Sequence, residues 1–69
     1  GLEMRYYDIY VKWAEENGAG YSIFISVDGE KEDAVEKAKK EGLFEYELDY
    51  NHIRYVNEIT KDEYETATK

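Results

Sequence analysis

The chain has 69 residues, 17 acidic and 9 basic side chains, a formal net charge of −8, eight tyrosines, and neither cysteine nor proline. A chain this short makes one domain at most and buries only about 60% of its unfolded surface, with no disulfide or Cys/His metal set to help it. The negative charge disfavours phosphate and anionic membranes, and no apolar run approaches the roughly 20 residues of a membrane span, so a cytoplasmic domain is expected.

Gly1-Leu2-Glu3, ahead of Met4, reads as a leftover of cloning, which makes 4–69 the single domain. From Met4 to Ala14 the sequence alternates as a strand does. Tyr7, Ile9, Val11 and Trp13 form the expected core face, and Tyr6, Asp8, Tyr10 and Lys12 the other. The segment from Glu15 to Gly20 carries an Asn-Gly step and a second glycine, the signal of a hairpin turn. Alternation resumes from Tyr21 to Val27. Tyr21, Ile23, Ile25 and Val27 point one way; Ser22, Phe24 and Ser26 point the other.

Asp28-Gly29-Glu30 ends this second strand, and a helix is expected from Lys31 to about Glu41. Glu30, Glu32 and Asp33 sit at its start and Lys37, Lys39 and Lys40 at its end, the distribution a helix dipole favours. Gly42 fits the left-handed position just past the helix. The apolar stripe is thin: Ala34, Val35 and Ala38, extended by Leu43 and Phe44. Glu45 to Asn51 reads either as a loop with a helical turn or as the start of a third strand. Ile53 to Ile59 reads as a strand with Ile53, Tyr55 and Ile59 on one face and Arg54, Val56 and Glu58 on the other. Thr60-Lys61-Asp62-Glu63 matches a capping box, which predicts a short C-terminal helix docked by Tyr64. The resulting fold is α+β in the order β-β-α-β-α: a small antiparallel sheet with one main helix on one face and a short second helix.

Catalysis finds little support. The sole histidine is His52, no thiol exists, and no nucleophile motif surrounds Ser22, Ser26, Thr60 or Thr66. Asp28 to Asp33 spaces carboxylates as a calcium loop does, but the register fails: with Asp28 first, position six is Asp33 and position twelve is Lys39. The expectation is therefore no enzyme, no metal and no cofactor.

The charge is unevenly spread. Residues 15–33 hold six acids against one base, residues 34–40 one acid against three bases, and residues 41–50 four acids and no base. Glu15, Glu16, Asp28, Glu30, Glu32 and Asp33 make one expected acidic patch, and Glu45, Glu47 and Asp49 a second. Tyr6, Tyr10 and Phe24, on the sheet face away from the helix, are the expected anchors for a protein partner, since aromatic residues are enriched at interfaces. Tyr7, Tyr21 and Tyr55 are expected in or beside the core. Carboxylates held on a rigid domain can imitate nucleic-acid phosphates and attract a basic protein at long range. The plainer readings are acids kept for solubility and rings that stiffen a sheet.

In size, acidity, tyrosine content and mixed topology the chain resembles the small acidic accessory proteins of phages and mobile elements, which include anti-CRISPR and antirestriction inhibitors. The stretch from Ile53 to Tyr64, a strand running into a capped helix, shares that look. The resemblance implies a noncatalytic inhibitor of a nucleic-acid-handling protein, acting by nucleic-acid mimicry on a partner with a basic surface; it assigns no functional residue. The alternative is a structural domain that forms a homodimer through its open sheet face.

Overall fold

The computed structural model describes residues 3–13 and 19–69. Strands β1 (Arg5–Lys12) and β2 (Gly20–Val27) form the hairpin, followed by helix α1 (Lys31–Lys40), a 3-10 turn (Glu47–His52), strand β3 (Ile53–Ile59) and helix α2 (Lys61–Ala67). This is the β-β-α-β-α order that the sequence predicts. The three strands are antiparallel in the order β2-β1-β3, so β1 is central and β2 and β3 are the edges. The Asn17-Gly18 step that predicts the hairpin turn lies outside the described residues; the two strands pair with Lys12 opposite Gly20 and Arg5 opposite Val27, a register three residues away from the one a two-residue turn at that step would set.

The inner face follows the alternation. Tyr7, Ile9 and Val11 of β1 and Ile23 and Ile25 of β2 are buried, and α1 lies on them through Ala34 and Ala38. Two alanines one turn apart leave no side chain to hold the helix away from the sheet, so the backbones approach closely. Phe44 closes the far end of this core and meets Tyr50 edge-on, with ring centroids 4.9 Å apart. Gly42 has φ 67°, the left-handed conformation that its place after the helix predicts. The segment left open between loop and strand is the 3-10 turn.

Three placements depart from the sequence reading. Trp13 is 47% exposed instead of extending the core face, because the core-facing row ends at Val11 and Trp13 lies beyond the strand. Tyr55 is 39% exposed, and Val56 packs against the core in its place. The cause is a β-bulge: Tyr10 pairs with Tyr55 and Val11 with Ile53, which leaves Arg54 as an extra residue. One extra residue shifts the alternation, so Ile53 and Val56 share the inner face and Tyr55 joins Tyr10 on the outer one. The third departure is Asp49, expected in a surface patch and found wholly buried.

Candidate protein interface

The outer face of the sheet is built around Asp8. On β1 it lies between Tyr6 and Tyr10, and across the ladders it faces Phe24 of β2 and Asn57 of β3. Its Oδ1 is buried and has no hydrogen-bond partner. Helix α2 covers one end of this face, where it lies across β1 and β2. The Thr60 hydroxyl accepts from the Glu63 amide at 3.1 Å and the Glu63 carboxylate accepts from the Thr60 amide at 2.8 Å, as the capping box predicts. The cap delivers Tyr64 onto Tyr6, ring centroids 5.0 Å apart. Tyr6 is therefore partly occupied inside the fold.

The other end of the face stays open. Tyr10 and Tyr55 stack there with centroids 5.2 Å apart and an interplanar angle of 22°. Burial pushes the Tyr55 hydroxyl pKa up, and the nearby Asp8 carboxylate adds to it. Tyr10 and Phe24 are half-buried. Sequence reasoning places Tyr10 and Phe24 on this face but misses Tyr55, because nothing in the composition of β3 announces the bulge.

The acids divide between structural work and exposed charge. Asp33 Oδ2 accepts from the Glu30 amide at 2.8 Å and so fixes the start of α1. Glu30 pairs with Arg5 at 2.5 Å, and Arg5 also pairs with Glu58 at 2.8 Å, which joins the start of α1 to the end of β3. The Arg5 hydrogen bond holds the Glu58 carboxyl below the usual carboxylate range. Asp28, Glu32, Glu45 and Glu47 are exposed. Glu15 and Glu16 lie outside the described residues.

Asp49 belongs to the turn rather than to any patch. Its Oδ2 accepts from the Tyr21 hydroxyl and from the Tyr46 amide, the latter at 3.3 Å, while the Asp49 amide donates to the Tyr46 carbonyl at 3.0 Å. The i to i+3 winding of a 3-10 turn tucks this third acid inward where an extended segment would leave it with Glu45 and Glu47. The Glu45 amide donates to the same Tyr21 hydroxyl at 2.9 Å.

The single histidine has a packing role. His52 stacks on Trp13 at 4.6 Å and 14°, and Tyr46 meets Trp13 edge-on at 6.4 Å. Among the described residues no group of three His, Cys, Asp or Glu side chains is placed to hold a metal ion, and no helix is long and apolar enough to cross a membrane.

The two predicted classes of interface residue stand on different layers. α1 and its acids lie on the Ile9 face, while Tyr10, Phe24 and Tyr55 lie on the Asp8 face. The outer edge of β3 is where the two meet. There α1 and β3 enclose an open groove of about 480 Å³ lined by Lys31, Glu32, Val35, Tyr55, Val56 and Asn57. Compared with family models, with curated proteins and with solved structures, the chain matches none.

Proposed function

We propose that this domain is a noncatalytic protein-binding module whose partner presents a basic surface, in its most concrete form an inhibitor that competes with nucleic acid for a nucleic-acid-handling protein. The observation that carries the reading is the open Tyr10–Tyr55 stack. A small sheet has one core to fill, and these rings lie on the side away from it, where tyrosine supplies rigid amphipathic contact area. The −8 charge supports a basic partner. The body measures 40 × 23 × 18 Å. Exposed acids stand at both ends of the strands: Asp28 and Glu32 beside the start of α1, and Glu45 and Glu47 beside the start of β3. A second copy of the chain could also cover the open face, but it would bring the same negative charge.

The test is capture of a partner from cell extract at low salt, followed by purification and challenge with duplex DNA. The reading expects the complex to weaken steeply with salt and to be competed by DNA. The informative variant carries Asp28→Lys, Glu32→Lys, Glu45→Lys and Glu47→Lys, because Glu30 pairs with Arg5 and Asp33 caps α1, so reversing those two would change the fold's own contacts together with the binding surface. Each charge lost at a steered interface lowers the association rate, and the four together are expected to cost on the order of a hundredfold in affinity. Unchanged affinity in this variant removes the mimicry reading. A sedimentation mass of twice the monomer, lost in Tyr10→Glu, replaces the partner with a second copy.

A further inference from the structure

The two edges of the sheet are not equivalent. On β2 the edge is occupied at two places: Lys37 Nζ donates to the Ser26 carbonyl at 2.5 Å, and the 3-10 turn reaches Tyr21 through Asp49. A lysine laid on an edge carbonyl is one of the ways proteins prevent an edge from pairing with another chain. On β3 no described residue does this from Tyr55 to Asn57. α1 lies mainly over β2, and the groove opens along that bare stretch. The bulge at Arg54 ends the regular ladder on one side, so the available edge runs from Tyr55 toward Ile59.

We propose that the outer edge of β3 accepts an extended segment of the protein partner as a fourth strand, and that this segment alternates apolar and cationic side chains. The inference rests on the protein-binding reading above and names the partner's chemistry. Main-chain hydrogen bonds along the edge from Tyr55 toward Ile59 supply the pairing, and alternation supplies the selectivity. On the inner side, a side chain entering the groove meets Val35 and Val56, so an apolar residue fits. On the outer side, its neighbours in the added strand lie beside Tyr55 and Asn57. Asn57 is directly opposite Asp8, whose Oδ1 has no partner. A long cationic side chain crossing Asn57 approaches that uncompensated carboxylate and the face of Tyr55, both of which favour a cation. Glu32 at the mouth of the groove adds to the attraction, against Lys31 beside it.

The probe is a short peptide alternating lysine and valine, titrated into the isotopically labelled domain with amide shifts as readout. Binding is expected to move the amides of residues 54–58 and to involve Val35. A copy of the peptide N-methylated at alternate amides keeps charge and shape but loses main-chain donors, and is expected to bind at least about tenfold more weakly. Asp8→Asn removes the charge while keeping the shape of a group that makes no hydrogen bond through Oδ1. It is expected to weaken the lysine peptide about tenfold and to leave a threonine–valine peptide unchanged. Equal binding of the methylated peptide, with shifts confined to residues 28–33 and 45–47, overturns the edge proposal while leaving the protein-binding reading intact. No shift at β3 with the lysine peptide also overturns it. Shifts at β3 that depend on the domain's own concentration assign the edge to a second copy and overturn the cationic segment. Loss of the captured partner's DNA competition, with β3 shifts retained, separates failure of mimicry from failure of the edge.

Discussion

Asp49 and Tyr21 show how a residue's neighbours decide its role. A carboxylate wholly out of water needs donors, and Tyr21 and the Tyr46 amide supply them to Oδ2, while Oδ1 is buried with none among the described residues. The cost falls partly on Tyr21, whose hydroxyl pKa is pushed up to about 12, first by burial and then by its bond to Asp49. A tyrosine whose folded pKa exceeds its unfolded value near 10 contributes stability that is complete below about pH 10 and lost as pH rises toward 12. Tyr21→Phe is therefore expected to unfold about 1–3 kcal/mol more easily at neutral pH, because Asp49 loses a donor. The variant should also show a shallower loss of stability between pH 10 and 12 than the parent. Urea denaturation followed by circular dichroism at both pH values measures the pair. Among the acids, sequence position alone could not separate Asp49 from Glu45 and Glu47, since all three alternate with bulky apolar residues. The 3-10 winding that separates them depends on Tyr21, 28 residues away.

At the scale of elements, local signals were the most legible. The capping box at Thr60, the dipole-matched charges of α1, the left-handed Gly42 and the alternation of β1 and β2 all act within a few residues, and each appears where the sequence puts it. Thr60→Ala is expected to cost about 1 kcal/mol, the usual loss for a cap. The effect should appear as faster amide exchange in residues 61–67 and as greater exposure of Tyr6, whose ring Tyr64 covers. Exchange unchanged in α2 would mean that packing on the sheet, not the cap, holds the helix. What the sequence did not show was the phase of β3, because a bulge is a property of the pairing of two strands and leaves no mark on either alone. For that reason the alternation of β3 alone puts Tyr55 in or beside the core and does not reveal its open-face stack with Tyr10.

For the whole molecule, composition gave the sign of the surface but not its layout. The acids of α1 and the anchoring rings stand on opposite sides of the sheet, so a flat partner touches one set or the other and only the β3 edge joins them. Because 17 acids face 9 bases, self-repulsion opposes compactness. Raising sodium chloride from low to about physiological ionic strength and beyond, where the Debye length falls below about 8 Å, is expected to stabilise the domain even as it weakens a basic partner. A gain of about 1 kcal/mol corresponds to a Tm rise of roughly 4–8 °C for a domain of this size. Calorimetry across a salt series reads it, and a falling Tm would mean that the Arg5 bridges to Glu30 and Glu58 outweigh the repulsion.

The extra residue at Arg54 makes β3 a strand of two phases. Upstream of it, every odd position in the count from Ile53 would face the core; downstream, from Val56 on, the parity is reversed. The tolerance of the strand to changes in length is therefore uneven. Removing Arg54 itself would leave Val11 facing Ile53 and Tyr10 facing Tyr55, with both faces correctly filled and the kink gone. Removing Val56 or Asn57 would turn every residue on one side of the gap to the wrong face. A single loop of slack thus makes β3 adjustable at its bulge and rigid everywhere else, and it fixes which side of the sheet each later ring in the chain must meet.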